Sequence, residues 1–178
     1  MPTPQEQRNI RLKNDYTEMS NIRGPIVQWR ALRGTPPYVE EYELTVKVRT
    51  ILSARLEYRD THTIRLTLPP TYPFSAPEAV MVTRPQPFHP NWFTTGRWCY
   101  GTWEISEGLG HFVVRLLRTL QFDDEITNPN SPANRDANTW YLANRTRGLF
   151  PPDRQVLPDP TKARFEIVDR PVKTFRIE

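Results

Sequence analysis

Two stretches of regular alternation set the first limit on what this chain can fold into. Tyr42, Leu44, Val46 and Val48 are separated by Glu43, Thr45 and Lys47, with Glu41 and Arg49 outside them. Ile64, Leu66 and Leu68 repeat the pattern over 63–68. A period of two belongs to a strand with one face buried and the other in water, which is the habit of antiparallel sheets. Shorter strands are predicted at 26–32 and, mostly apolar, at 79–83. The connections are short and polar, Gly34-Thr35-Pro36-Pro37 being the turn after the first. Four such strands make a meander whose apolar face must be covered.

Helices supply the cover. Leu109, Phe112, Val113, Leu116, Leu117 and Leu120 recur at helical spacing and read as core. Six side chains at ~1.5–3 kcal/mol each contribute on the order of 10 kcal/mol of gross burial before entropy is subtracted. An N-terminal helix starts with Thr3 as N-cap, Pro4 in the first turn and Glu6 closing a capping box. Its apolar stripe is Leu12, Tyr16 and Met19; Arg8, Arg11 and Asp15 are expected on the opposite, solvated side. Gly24-Pro25 ends it. Asn134 is placed to cap a third helix through about residue 145, with Asp136 favourable in its first turn. The fold class is therefore α+β, a four-stranded antiparallel meander packed against helices.

At 178 residues the chain has room for one domain with a proper core. The composition shifts after Gly148 to an extended, proline-rich segment, then to weak alternation at 164–168 and 173–177. The reading is a core domain over 1–146 and a C-terminal extension over 147–178, the latter a hairpin, edge strands or a partly ordered tail. No apolar run approaches the ~18 residues of a membrane span, and the N-terminus lacks a signal-peptide core, so a cytoplasmic protein is expected. The net charge is +4, but the 20 arginines and 4 lysines are spread along the chain rather than clustered with aromatics. Nucleic-acid binding is not indicated.

The chemistry concentrates between Phe88 and Cys99. Pro90 restricts His89 and fixes the entry into Asn91, which aims the carboxamide, and Thr94-Thr95-Gly96 lets the chain reverse. Cys99, the only cysteine, then returns alongside Asn91. A thiol nucleophile beside an amide donor suits acyl transfer: sulfur carries the acyl group and the amide N–H stabilises the oxyanion. Arg97 is a nearby charge that would lower the thiol pKa. A single cysteine with His62, His89 and His111 shows no metal-ligand spacing, and no cofactor is indicated. A thiol hydrolase would need a general base, and none stands at a recognisable spacing.

His-Pro-Asn with a cysteine eight residues after the asparagine resembles the signature of ubiquitin-conjugating enzymes. Tyr72-Pro73-Phe74-Ser75-Ala76-Pro77 is similar to that family's Tyr-Pro-Phe-x-x-Pro segment, and Asn128-Pro129-Asn130-Ser131-Pro132 to its Asn-Pro-x-x-Pro loop. The resemblance spans 8–146. It implies that Cys99 accepts ubiquitin or a ubiquitin-like protein from an activating enzyme as a thioester and passes it to an amine, usually lysine. By the same resemblance Asn91 serves the oxyanion, and Ser131 lies where a small or acidic residue orients the incoming lysine. His89, Pro90 and Tyr72 belong to the structural frame of the active-site loop. Arg8 and Arg11 fall on the helix face that docks the activating enzyme, and Phe74 on a loop that contacts ligases.

Only three residues separate Cys99 from Trp103, fewer than the family usually has, so a conventional ligase surface does not follow. The short loop, the arginine bias and the extra tail suggest a divergent member, and a bacterial source is the guess they prompt. A scarcity of lysine would also suit an enzyme that carries a lysine-reactive thioester. The rival reading is a non-catalytic scaffold of the same fold that binds a ubiquitin-like protein or its partners; such variants lack the cysteine.

Overall fold

The two alternating stretches lie side by side in the computed structural model, which describes residues 1–163. β2 (Glu41–Ile51) pairs antiparallel with β3 (Tyr58–Thr67), Leu44 opposite Ile64 and Tyr42 opposite Leu66. β1 (Val27–Arg33) and β4 (Glu78–Met81) complete one sheet in the order β1-β2-β3-β4. The expected four-stranded antiparallel meander is the fold. The weak alternation at 164–168 and 173–177 lies outside the described residues.

Helices cover one face. α1 (Pro4–Ile22) begins with the Thr3–Glu6 capping box, and α2 (Leu109–Leu120) packs on β2 and α1. All six apolar positions of the α2 stripe are fully buried among Tyr42, Leu44, Val46, Ile64 and Leu66. α3 (Arg135–Asn144) is capped by the Asn134 side chain, which accepts from the Ala137 N–H. No helix among the described residues is long and apolar enough to cross a membrane.

The solvated side expected for α1 is not what forms. Asp15 is buried, and its carboxylate accepts from the Leu109 N–H at 3.0 Å, from the Tyr72 hydroxyl at 2.5 Å and from Arg11 at 2.9 Å. Glu18 accepts from the Gly110 N–H at 2.9 Å. The first turn of α2 has no side-chain cap of its own, so α1 provides acceptors for its orphan N–H groups. Burial pushes the Asp15 pKa up, against the pull of Tyr72 and Arg11.

This contact requires a glycine at 110. A Cβ there would lie 2.8 Å from the Glu18 Cβ and 2.9 Å from the Pro160 Cβ. Gly110→Ala gains about 1 kcal/mol of helix propensity but meets an overpacking cost of about 1–3 kcal/mol. A lower urea midpoint at unchanged m is the expected result; a midpoint at or above wild type would show that the helices separate at no cost.

The C-terminal segment is a strap in the described part, neither hairpin nor strand. The β1–β2 register ends at Val46, and past the Lys47 N–H, which donates to the Ile26 carbonyl at 2.8 Å, that β2 edge is open. The strap fills it with side chains: Asp153 accepts from the Arg49 N–H at 2.7 Å, and Gln155 donates to the Lys47 carbonyl at 2.7 Å. Asn21 of α1 donates to the Pro160 carbonyl at 2.7 Å. Phe150 packs against Phe122, Trp140 and Tyr141 in a second, aromatic cluster. Backbone groups at a sheet edge need partners, and here a proline-rich segment provides them without a ladder.

Candidate active site

The hairpin expected from Thr94-Thr95-Gly96 is present. Gly96 has a φ of +99°, a left-handed conformation that favours glycine. The Gly96 N–H donates to the Phe93 carbonyl at 2.9 Å, and the Phe93 N–H to the Arg97 carbonyl at 2.9 Å. Trp92 and Trp98 face each other as a bridge pair, and the Trp92 indole N–H donates to the Gly96 carbonyl at 2.7 Å. The returning arm is stitched to β4 through the Trp98 N–H on the Ala79 carbonyl at 2.9 Å. At its end the Cys99 N–H donates to the Asn91 carbonyl at 2.8 Å. Cys99 and Asn91 are thereby held together, with the cysteine partly exposed.

Asn91 is held at both ends of its amide. Its Oδ1 accepts from the Asn128 N–H at 3.0 Å, and its Nδ2 donates to the Ile126 carbonyl at 3.0 Å. A backbone donor on one side and a backbone acceptor on the other fix the amide orientation. The second Nδ2 hydrogen makes no bond among the described residues. The same loop is tied to Pro90, whose carbonyl accepts from the Ala133 N–H at 2.7 Å and the Asn134 N–H at 3.2 Å. Asn130 donates its N–H to the Asn128 side chain at 3.1 Å, shaping the turn that presents Ser131.

His89 is fully buried against the Phe122 ring, with centroids 4.2 Å apart, and its Nδ1 accepts from the Asn91 N–H at 2.9 Å. Burial lowers its pKa to about 3, so it is a neutral brace whose acceptor nitrogen is engaged and unable to serve Cys99 as a base. His62 is likewise buried, bonded to the Val48 carbonyl at 2.8 Å, with its pKa lowered by burial to about 4. Both imidazoles are neutral in the folded chain down to pH values where the unfolded chain, with ordinary values near 6.5, is protonated. The unfolded state then binds more protons, so stability is complete above about pH 6.5 and falls as the pH drops toward 4 and 3. Each histidine accounts for about 2 kcal/mol lost by pH 5. Urea midpoints at pH 7 and pH 5 should show this fall, and His62→Gln should remove part of it; a flat profile would mean that both rings reach water.

Two clefts meet at Cys99. One, of about 460 Å³, is lined by Asn91, Cys99, Arg115, Asn128 and Ser131 among others. The other, of about 360 Å³, lies on the β4 side and is lined by Glu78, Phe93, Arg97, Trp98 and Cys99. Cys99, Asn91 and Ser131 therefore share one space, and Ser131 is exposed at its rim. A thiol, an amide with a spare donor and a hydroxyl opening onto one cleft can accept an acyl group, stabilise an oxyanion and admit an amine.

The other residues singled out in the sequence lie apart from this cleft. Tyr72 is buried under α1, bonded to Asp15 and Arg11, and lines neither space beside Cys99. Arg8 and Arg11 depart from the exposed basic face expected of them. Their side chains are only 11% and 16% exposed. Arg8 donates to the Tyr72 carbonyl at 2.7 Å and to Glu40 at 2.7 Å, while Arg11 clasps the carbonyls of Ile105 and Glu107. Both are internal ties between α1 and the loops around it. Phe74 is 72% exposed, and Ile105 is a second exposed apolar side chain.

Arg115 is a further residue at this site, one that no motif or spacing singles out. Its guanidinium donates to the Tyr100 and Thr102 carbonyls and to both oxygens of Glu107, so it braces the short segment that follows Cys99. Nothing local marks it, because its partners lie 8 to 15 residues away in sequence. Among the described residues no group of three or more His, Cys, Asp or Glu side chains is placed to hold a metal ion.

No family model matches the sequence, and no curated protein matches it. Among solved structures, S. cerevisiae Ubc12 superposes with a TM-score of 0.58 at 23% sequence identity, covering 76% of this chain and 71% of that one. At that identity the likeness is one of fold: this chain has the α+β fold of ubiquitin-conjugating enzymes.

Proposed function

We propose that the protein is a conjugating enzyme for a ubiquitin-like protein, with Cys99 as its acyl carrier. The observation that carries this reading is the hydrogen-bonded hairpin joining Asn91 to Cys99, with the thiol partly exposed where two clefts meet. Fold likeness alone would not select a site; this geometry supports the choice of Cys99 and Asn91.

In the proposed reaction the Cys99 thiolate attacks the thioester carbonyl of a loaded activating enzyme, whose own sulfur leaves, and the acyl group moves to Cys99. A lysine amine then attacks that carbonyl. The tetrahedral oxyanion meets the spare Asn91 N–H, the C–S bond breaks, and the amine proton is lost as the thiol is restored. Ser131, at the rim of the same cleft, accepts a hydrogen bond from the incoming ammonium. Partners of this cycle are an activating enzyme, a ubiquitin-like protein and, where Phe74 and Ile105 are used, a ligase. A cytoplasmic setting suits the free thiol.

The test is incubation with the cognate activating enzyme, its ubiquitin-like protein and ATP, followed by gels with and without thiol reductant. An adduct that reductant removes is expected. Absence of any adduct while the activating enzyme itself is charged would overturn the proposal.

A further inference from the structure

The way the chain is held changes at Cys99. Before it, the returning arm of the hairpin is held by backbone bonds, the last being the Cys99 N–H on the Asn91 carbonyl at 2.8 Å. After it, from 100 to 107, the one backbone–backbone hydrogen bond among the described residues is the Glu107 N–H on the Glu104 carbonyl at 2.9 Å. Side chains hold this segment instead. The Trp103 indole N–H donates to the Pro73 carbonyl at 2.8 Å, and Arg11 takes the carbonyls of Ile105 and Glu107. Nearer the sulfur, the Tyr100 and Thr102 carbonyls both accept from Arg115, and Gly101 turns the chain between them at a φ of +78°.

The same guanidinium makes a bidentate pair with Glu107, Nε to Oε1 at 2.9 Å and Nη2 to Oε2 at 2.8 Å. It lies over the Trp98 and Phe112 rings, 5.5 and 5.4 Å from their centroids, and the side chain is 22% exposed. The fork and the two rings fix the group, and the carboxylate neutralises its charge. What Arg115 gives the chain after Cys99 is thus position rather than free charge. Position matters here, because misplacing reacting groups by about 1 Å costs on the order of a hundredfold in rate.

We propose that Arg115 is a positioning residue for acyl transfer at Cys99. Through the Tyr100 and Thr102 carbonyls it holds the chain beyond the cysteine, while the hairpin holds the chain before it. Cys99 is then fixed from both sides. An acyl group on its sulfur keeps its carbonyl toward the spare Asn91 N–H, in the cleft that Asn91, Cys99 and Arg115 all line. Arg115 acts through the backbone and touches neither the acyl group nor the amine. This rests on the reading of Cys99 as an acyl carrier and names the residue that sets its geometry.

Arg115→Lys keeps the charge but lacks the fork that spans both carbonyls and Glu107. Amide hydrogen exchange reads the clamp without any acyl transfer. The Cys99 N–H should exchange about tenfold faster or more in Arg115→Lys, the range for losing a hydrogen bond to a charged donor. The Trp98 N–H, bonded to the Ala79 carbonyl, should keep its protection, which separates a local release from a general loss of stability. Single-turnover discharge of a glycine-terminated peptide thioester from Cys99 to free lysine should slow by a similar factor. Alkylation of the free thiol by iodoacetamide uses no oxyanion donor and should change far less. Asn91→Ala should then cost much less in Arg115→Lys than in the wild type, because the donor it removes is already out of reach. Wild-type discharge by Arg115→Lys, full persistence of the Asn91→Ala effect in it, or equal losses in alkylation and discharge would overturn the proposal. So would equal acceleration of exchange at Cys99 and Trp98. A wild-type thioester that discharges no faster than the same acyl group on glutathione would instead count against the function proposed above, and the exchange rates would stay readable.

Discussion

Cys99→Ser is expected to abolish the reductant-sensitive adduct, leaving either none or a trace of ester that reductant does not remove. The site shows why serine cannot substitute. Sulfur is intrinsically the stronger nucleophile and a thiol gives up its proton far more readily than a hydroxyl, which needs a base. No histidine is free to act as one: His89 and His62 are buried, neutral and engaged, and His111 lies beside Glu18 at 3.2 Å on α2. General-base assistance is worth about 10²–10⁴-fold, so loading should drop by at least about a hundredfold. Intact-protein mass and gels with and without reductant report it. A wild-type adduct that survives reductant, with no lysine attachment to explain it, would remove Cys99 as the carrier.

The second large effect belongs to Asn91, and it divides into two parts. Asn91→Ala deletes a donor to the developing oxyanion, which costs roughly 2.7–4 kcal/mol in comparable acyl-transfer sites. It also leaves the Ile126 carbonyl and the Asn128 N–H without their partner, a loss of about 1–3 kcal/mol for each such group that stays dry. The first appears as slow discharge to lysine after loading, the second as a lower urea midpoint. Loading should suffer less than discharge, because an activating enzyme contributes to the transthiolation site, whereas aminolysis depends on this chain alone. Asn91→Asp separates the parts: it keeps an acceptor for Asn128 but lacks the donor. Discharge by a folded Asn91→Ala protein at the wild-type rate would leave Asn91 as a loop brace only.

How far the sequence foretells this molecule depends on the range of the interactions. Alternation and helical periodicity are local, so β2, β3 and α2 are legible residue by residue, as is the Thr3–Glu6 start of α1. The hairpin is legible too, since Pro90 and Gly96 act on their own neighbours. Asp15 is not, because what draws it inward is the unsatisfied first turn of α2, over 90 residues later. Arg8 and Arg11 follow the same rule. Long side chains on a helix read as solvated until the loop carbonyls they reach are known. The strap over β2 was unreadable for a related reason. Asp153 and Gln155 look like loop residues, and their use appears only once the open edge past the Lys47 N–H is seen. Of the candidate site, the thiol and amide were visible as spacing, whereas the ties from Asn91 to Ile126 and Asn128 required the fold.

The central claim is that the cleft holding Cys99, Asn91 and Ser131 speeds transfer of an acyl group from sulfur to lysine. It is tested most directly by loading Cys99 through exchange with a glycine-terminated peptide thioester and following single-turnover release onto free lysine. The same acyl group on glutathione serves as the reference. The loaded protein should discharge to lysine well ahead of the glutathione thioester, and Asn91→Ala should lose most of that advantage. Discharge no faster than from glutathione, with Asn91→Ala equal to wild type, would contradict the account.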